Sequence, residues 1–159
     1  MRILVTGGNG SVGCGLIPSL LTRGHHVVVL DKELGVVRAI AHPQLSFVAG
    51  AVEDAPAVAE ATRGAEAIVH LAWSFSDDPI YLLEHDLRGH LLLLTAAREQ
   101  GTRHFIYTST AVVYGKPLRT PIGEDDPLGF VPAREPAGVR EALKRAIART
   151  WERVQASPA

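Results

Sequence analysis

The chain has 159 residues, 47% of them apolar, which excludes a disordered polymer and supplies enough material for one domain with a core. Its formal charge is −1, so no basic surplus points to nucleic acid or to an anionic membrane surface. No apolar run approaches the roughly 20 residues that span a bilayer, and no membrane partner is expected.

The elements alternate between short β-branched runs and longer amphipathic stretches. Arg2–Thr6 reads as the first strand, followed by a glycine-rich turn and a helix over Ser11–Arg23 that stops at Gly24. His26–Asp31 is the second strand. Gly35–His42 reads as a short helix ended by Pro43, and Leu45–Ala49 as the third strand. Asp54 opens a helix over Ala55–Arg63, with Pro56 in its first turn and Gly64 beyond its end. Glu66–Leu71 is the fourth strand, and Pro79–Gln100 a long helix with a break expected near Gly89. Arg103–Ser109 is the fifth strand. Strands rich in Val, Ile and Leu without strict alternation are buried on both faces, as in a parallel sheet covered by helices. Five such units predict a doubly wound, Rossmann-like α/β fold with strand order 3-2-1-4-5.

The predicted organisation is a core over residues 1–115, a loop over 116–138 and a C-terminal helix of the same domain within 139–159. The loop carries Pro117, Pro121, Pro127, Pro132 and Pro136, and the helix runs over Val139–Val154. Its basic residues Arg140, Lys144, Arg145, Arg149 and Arg153 suit a solvated or partner-facing face. Cys14 is the single cysteine and fits a reducing compartment. The start MRILVTGG reads as strand and turn, unlike a secretory signal. A cytoplasmic location is expected, and no metal.

The turn after the first strand reads Thr6-Gly7-Gly8-Asn9-Gly10-Ser11-Val12-Gly13. It satisfies G-x-G-x-x-G through Gly8, Gly10 and Gly13, and T-G-x-x-G-x-x-G through Gly7, Gly10 and Gly13. Either pattern supplies a tight turn, a close approach of backbone to a pyrophosphate, and close packing of helix on strand. The helix opening at Ser11 then aims free N–H groups and a positive dipole end at the phosphates. Asp31 ends the second strand, where its carboxylate can accept both ribose hydroxyls. That acid favours NAD, because the 2′-phosphate of NADP would meet a negative charge. Lys32 offsets the charge in part, so NADP stays as the alternative.

The stretches TGGNGSVG (Thr6–Gly13), VVVLD (Val27–Asp31), VHLAW (Val69–Trp73) and YTSTAVVYG (Tyr107–Gly115) together resemble the extended short-chain dehydrogenase/reductase group, the NAD-dependent epimerase/dehydratase family. The resemblance covers nearly the whole chain but not the family's second half, which carries most of the substrate pocket. It implies that Gly7, Gly10, Ser11, Val12 and Gly13 hold the pyrophosphate and that Asp31 binds the adenosine ribose. Leu71, Ala72 and Trp73 would line the cofactor where the family usually has two alanines, with Trp73 narrowing or covering the groove. Ser109 would lie beside the nicotinamide and Thr110 would bond the substrate oxygen. Lys144 matches the lysine of the family's Y-x-x-x-K motif.

The departures bear on chemistry. The family's Gly-Asp pair after strand three reads Gly50-Ala51, so adenine contacts fall to backbone, Glu53 or Asp54. The family motif N-x-x-G-T-x-N reads Asp86-Leu87-Arg88-Gly89-His90-Leu91-Leu92, with neither asparagine. Arg140 stands where the catalytic tyrosine belongs. No realignment repairs this: the residues four beyond Tyr81, Tyr107 and Tyr114 are His85, Ala111 and Leu118. In the family that tyrosine moves the proton, its pKa lowered from about 10 toward neutrality. An arginine, with a pKa above about 12, cannot take its place. Losing such a group costs about 10²–10⁴ in rate.

His70, His85 and His90 titrate near neutrality when unperturbed. His70 reads as packed within strand four, whereas His85 and His90 suit partner contacts on the long helix. Glu124, Asp125 and Asp126 read as a solvated acidic turn, and Cys14 as a small packing residue. Three functions remain open: a shortened oxidoreductase acting on a nucleotide sugar or other small alcohol or carbonyl, a cofactor-binding partner or sensor without turnover, and an enzyme with altered chemistry. The resemblance also implies a homodimer, or another chain, covering strand five and the helices at 82–100 and 139–154.

Overall fold

β1 (Arg2–Thr6), β2 (His26–Asp31), β3 (Leu45–Ala49), β4 (Ala67–His70) and β5 (His104–Tyr107) form one parallel sheet in the order β3-β2-β1-β4-β5. The computed structural model describes residues 1–115, 119–126 and 129. Thr6 lies opposite Leu30 on one side and His70 on the other, so β1 and β4 end level and β2 runs one residue further, to Asp31. The chain turns from one side of β1 to the other between β3 and β4. This puts the topological switch point at the C-terminal ends of β1 and β4, where open α/β sheets bind ligands.

The three inner strands are apolar on both faces: Leu4, Val5, Val27, Val28, Val29, Leu30 and Ile68 are all buried. The edges differ. Ser46 and Ala49 of β3, and His104 and Ile106 of β5, are exposed, and only Val48 and Phe105 of these strands are buried. That alternation is what one covered face produces.

α1 (Ser11–Thr22) buries Gly13, Ile17 and Leu21 at a four-residue spacing that makes one apolar stripe. Ile17 and Leu21 join Ile3, Val5, Val27 and Val29 in a single core cluster. α2 (Ala55–Thr62) starts at Asp54, whose side chain accepts from Ala57 N at 3.4 Å. The expected short helix after β2 is a 3₁₀ turn over Gly35–Ala39.

The long helix expected over Pro79–Gln100 is divided. It comprises a single α turn, α3 (Pro79–Tyr81), a π-helical stretch over Leu82–Leu87, and α4 (Arg88–Glu99). The interruption therefore precedes Gly89, which sits inside α4. A Cβ at Gly89 would lie 2.6 Å from Val52 Cγ2 and 3.0 Å from the Val52 carbonyl carbon. The expected break is the π-helical stretch ending just before Gly89, and the glycine itself marks close packing of α4 on the chain after β3.

The chain divides into two units, Met1–Ser74 with Glu84–Thr108, and Phe75–Leu83 with Ser109–Ala159. The first holds the sheet. In the second, Ala111–Tyr114 forms a 3₁₀ turn, and the Arg119 guanidinium grips Asp126 with both Nε and Nη2 2.9 Å from Oδ1. The C-terminal helix expected over Val139–Val154, with Arg140 and Lys144, lies outside the described residues, as does much of the loop expected over 116–138. Among the described residues no helix is long and apolar enough to cross a membrane.

The Gly89 packing predicts that Gly89→Ala lowers stability by about 1–3 kcal/mol, read as a reduced urea midpoint. Gly15→Ala on α1, where an added Cβ meets nothing within 4 Å, should be neutral or raise stability by up to about 1 kcal/mol.

Candidate functional site

The turn after β1 distinguishes the two glycine patterns. Gly7 has φ +67°, a left-handed conformation that favours glycine, and its N–H donates to Leu30 O at 3.0 Å. A Cβ there would stand 2.7 Å from both Cα and N of Ala72. Gly10 N donates to Gly7 O at 3.1 Å, and that same oxygen is the one atom an added Cβ on Gly10 would meet. A Cβ on Gly13 would collide with the Gly8 carbonyl. These are the turn, open-approach and close-packing roles, held by Gly7, Gly10 and Gly13. Gly8 has a separate duty, since a Cβ there would lie 2.6 Å from Val29 Cγ1.

α1 begins directly at this turn. Its N-cap is Gly10, its first turn holds no acidic side chain, and Cys14 N donates to Gly10 O at 3.0 Å. Ser11 and Val12 are exposed. The positive end of the helix is thus left without an anionic side chain in its first turn, a setting suited to a phosphate. The Cys14 Sγ points to Asn9 O at 3.5 Å, in keeping with a small, half-buried packing residue.

Asp31 is fixed from two sides. Its Oδ2 accepts from Asn9 N at 3.0 Å and its Oδ1 from Lys32 N at 2.8 Å. The carboxylate is held at the end of β2, beside the glycine turn, with lone pairs to spare for hydroxyl donors. Asn9, absent from the sequence-derived site, also donates from Nδ2 to Glu33 O and accepts at Oδ1 from Val37 N at 3.1 Å. The available signal was an amide side chain between the turn glycines, able to donate and accept at once.

At the β3 end the two acids named for adenine contacts separate. Asp54 is committed to capping α2. Glu53 Oε1 lies 2.8 Å from His85 Nδ1 and 3.9 Å from Lys32 Nζ. His85 therefore faces Glu53 within the same unit.

The chain leaving β4 is tied back to β1. Leu71 N donates to Thr6 O at 3.2 Å, and Ala72 N to Thr6 Oγ1 at 3.2 Å. Trp73 stacks edge-on against Tyr107 with centroids 6.4 Å apart. Ser74 Oγ donates to Asp86 at 2.7 Å, so the acid standing in for the family's first asparagine anchors this segment.

His70 and His90 form the least anticipated feature. His70 is packed within β4, as its sequence context implied, and its Nδ1 lies 2.6 Å from Thr6 Oγ1. His90 is completely buried, which overturns its assignment to a partner surface: α4 turns it inward, its ring 5.1 Å from His70 and 5.0 Å from Tyr107. Neither ring nitrogen of His90 meets a hydrogen-bond partner among the described residues. Burial pushes the His90 pKa down to about 4, and burial with the neighbouring His90 charge pushes His70 down to about 3. Both rings are neutral at physiological pH. A neutral His70 ring lets the Thr6 hydroxyl donate to Nδ1 while accepting from Ala72.

Ser109 and Thr110 open the second unit, where Thr110 O accepts from Val113 N at 3.2 Å. In the acidic turn Asp126 is neutralised by Arg119, whose guanidinium, with the Gly123 N–H, holds the carboxyl below its usual range. Asp126 is unsuited to act as an acid near neutrality.

A model of the NAD dependent epimerase/dehydratase family matches residues 3–157. The UDP-glucose 4-epimerase of Klebsiella pneumoniae is 30% identical over 138 residues, spanning 78% of this chain and 99% of that sequence. That of Bacillus subtilis is 32% identical over 163 residues, spanning 94% of this chain and 47% of the relative. Among solved structures, the Bordetella bronchiseptica enzyme WbmG in complex with NAD and UDP superposes with a TM-score of 0.77 at 28% identity, over 94% of this chain and 49% of that one. Apart from the Klebsiella sequence, the chain spans about half the length of these relatives.

The histidine pair dictates an acid response. Each has a folded pKa below its unfolded value of about 6.5, so its contribution is fully present above pH 6.5 and is lost as pH falls toward 4 and then 3. Denaturant melts across this window should lose stability with a slope of up to about 1.4 kcal/mol per pH unit for each histidine. His90→Leu should remove one histidine's share of that slope. A variant with the wild-type slope would show that His90 does not titrate as described.

Proposed function

The chain belongs to the NAD dependent epimerase/dehydratase family, and from that premise we propose that it binds NAD, with the pyrophosphate on the first-turn amides of α1 and the adenosine ribose on Asp31. One observation carries the reading: Gly7, Gly10 and Gly13 clear a path to the helix end while two main-chain N–H groups hold Asp31 beside it. Leu71, Ala72 and Trp73 continue the cofactor wall along the end of β4, and Ser109 and Thr110 serve the nicotinamide and substrate ends. The ligands of WbmG favour NAD over NADP and a nucleotide sugar as the class of substrate.

The chemistry inherited with the fold is hydride transfer on an alcohol or carbonyl of that substrate. Arg140 in the tyrosine position removes the family's proton carrier. Thr110 can polarise a carbonyl and Lys144 can supply charge, but neither replaces a phenol of lowered pKa. His70 and His90 are no substitutes, because both are buried within the sheet unit. We therefore favour cofactor binding with little or no turnover by the family route, in a protein acting as a partner or sensor subunit. Pairing through α4, where Leu91 is exposed, as a homodimer in the cytoplasm completes the proposal.

Isothermal titration tests it. NAD should bind more tightly than NADP, and Asp31→Ala should weaken NAD by about 10- to 100-fold, the value of hydrogen bonds to a charged group. Absence of binding by both dinucleotides would end the proposal. With UDP-glucose, turnover should fall about 10²–10⁴ below an ordinary enzyme's rate. A rate in the ordinary range would instead establish a proton carrier other than tyrosine.

A further inference from the structure

Resting on that reading, we propose that Asn9 is a positioning residue that sets the preference for a 2′-hydroxyl over a 2′-phosphate, by pinning the loop after β2 to the glycine turn. Three kinds of contact converge on this residue. Its backbone N–H orients Asp31 through Oδ2. Its carboxamide donates to Glu33 O and accepts from Val37 N at 3.1 Å, so one side chain holds both ends of the segment 33–37. The third contact is steric. Gly35, at φ +44°, leaves room for the amide, since a Cβ there would stand 2.6 Å from Asn9 Oδ1 and 2.7 Å from Cγ.

The consequence follows from where this segment starts. Asp31 and Lys32 precede it directly, and Lys32 is drawn toward Glu53 at 3.9 Å. With 33–37 pinned, the carboxylate keeps one orientation before any ligand arrives, which spares the ordering cost at binding. A ribose with both hydroxyls free can donate to it. A 2′-phosphate can only accept, brings like charge, and meets a loop that is tied in place. Freed from Asn9, the loop would let Asp31 turn away and leave Lys32 able to approach an anion.

The experiment measures affinities of NAD, NADP and ADP-ribose for the wild type and for Asn9→Ala. NAD and ADP-ribose should each weaken by about tenfold, the value of two neutral hydrogen bonds, while NADP changes less and the preference for NAD narrows. Equal weakening of all three would reduce Asn9 to a structural role and overturn the inference. So would no change. If the wild type binds none of them, the underlying reading fails as well, a result distinct from either. Gly35→Ala approaches the same contact from the opposite side and should narrow the preference in the same direction, so the question is still answered if Asn9→Ala does not fold.

Discussion

The Thr6 side chain and the backbone of Gly7 organise the upper edge of the sheet. Thr6 Oγ1 accepts from Ala72 N and meets His70 Nδ1, so a single hydroxyl joins β1 to the end of β4. Gly7 then passes so close to Ala72 that a side chain has no room. Burying this hydroxyl is favourable because both of its neighbours bond to it. Two stretches proposed for the dinucleotide flank this junction. The glycine turn departs from one side of it, and Leu71–Trp73 from the other.

Much of this was legible in the residues. β1, β2 and β3 have the bounds their apolar runs imply, and the strand order is the expected one. Local rules suffice there, because β-branched runs between glycine stops admit few alternatives. What escaped was set by contacts distant in sequence. Nothing local tells that His90 points into the core, because its partners are His70, Phe105 and Tyr107 on two other elements. The break near Gly89 is legible, but the glycine's own role is not, because helix propensity is local while the Val52 contact that requires glycine is distant in sequence. The reach of Asn9 to Glu33 and Val37 was hidden for the same reason.

The chemistry divides along the same line. Dinucleotide recognition in this fold relies on main-chain N–H groups and one carboxylate, so it tolerates wide change elsewhere in the chain. Proton transfer depends on one side chain of suitable pKa at one position. On the proposed reading, with arginine in the tyrosine position, the chain would keep the robust half of that chemistry and lose the fragile half.

The junction also orders events in time. Thr6 and Ala72 are 66 positions apart, yet the pocket edge needs both. During synthesis β1, β2 and β3 can pair while β4 is still to be made, and long-range parallel pairing is intrinsically slow. The phosphate turn therefore stays open along one side until the ribosome has delivered the segment after β4. On the proposed reading, a dinucleotide would meet the complete pocket edge only after four of the five strands have been made.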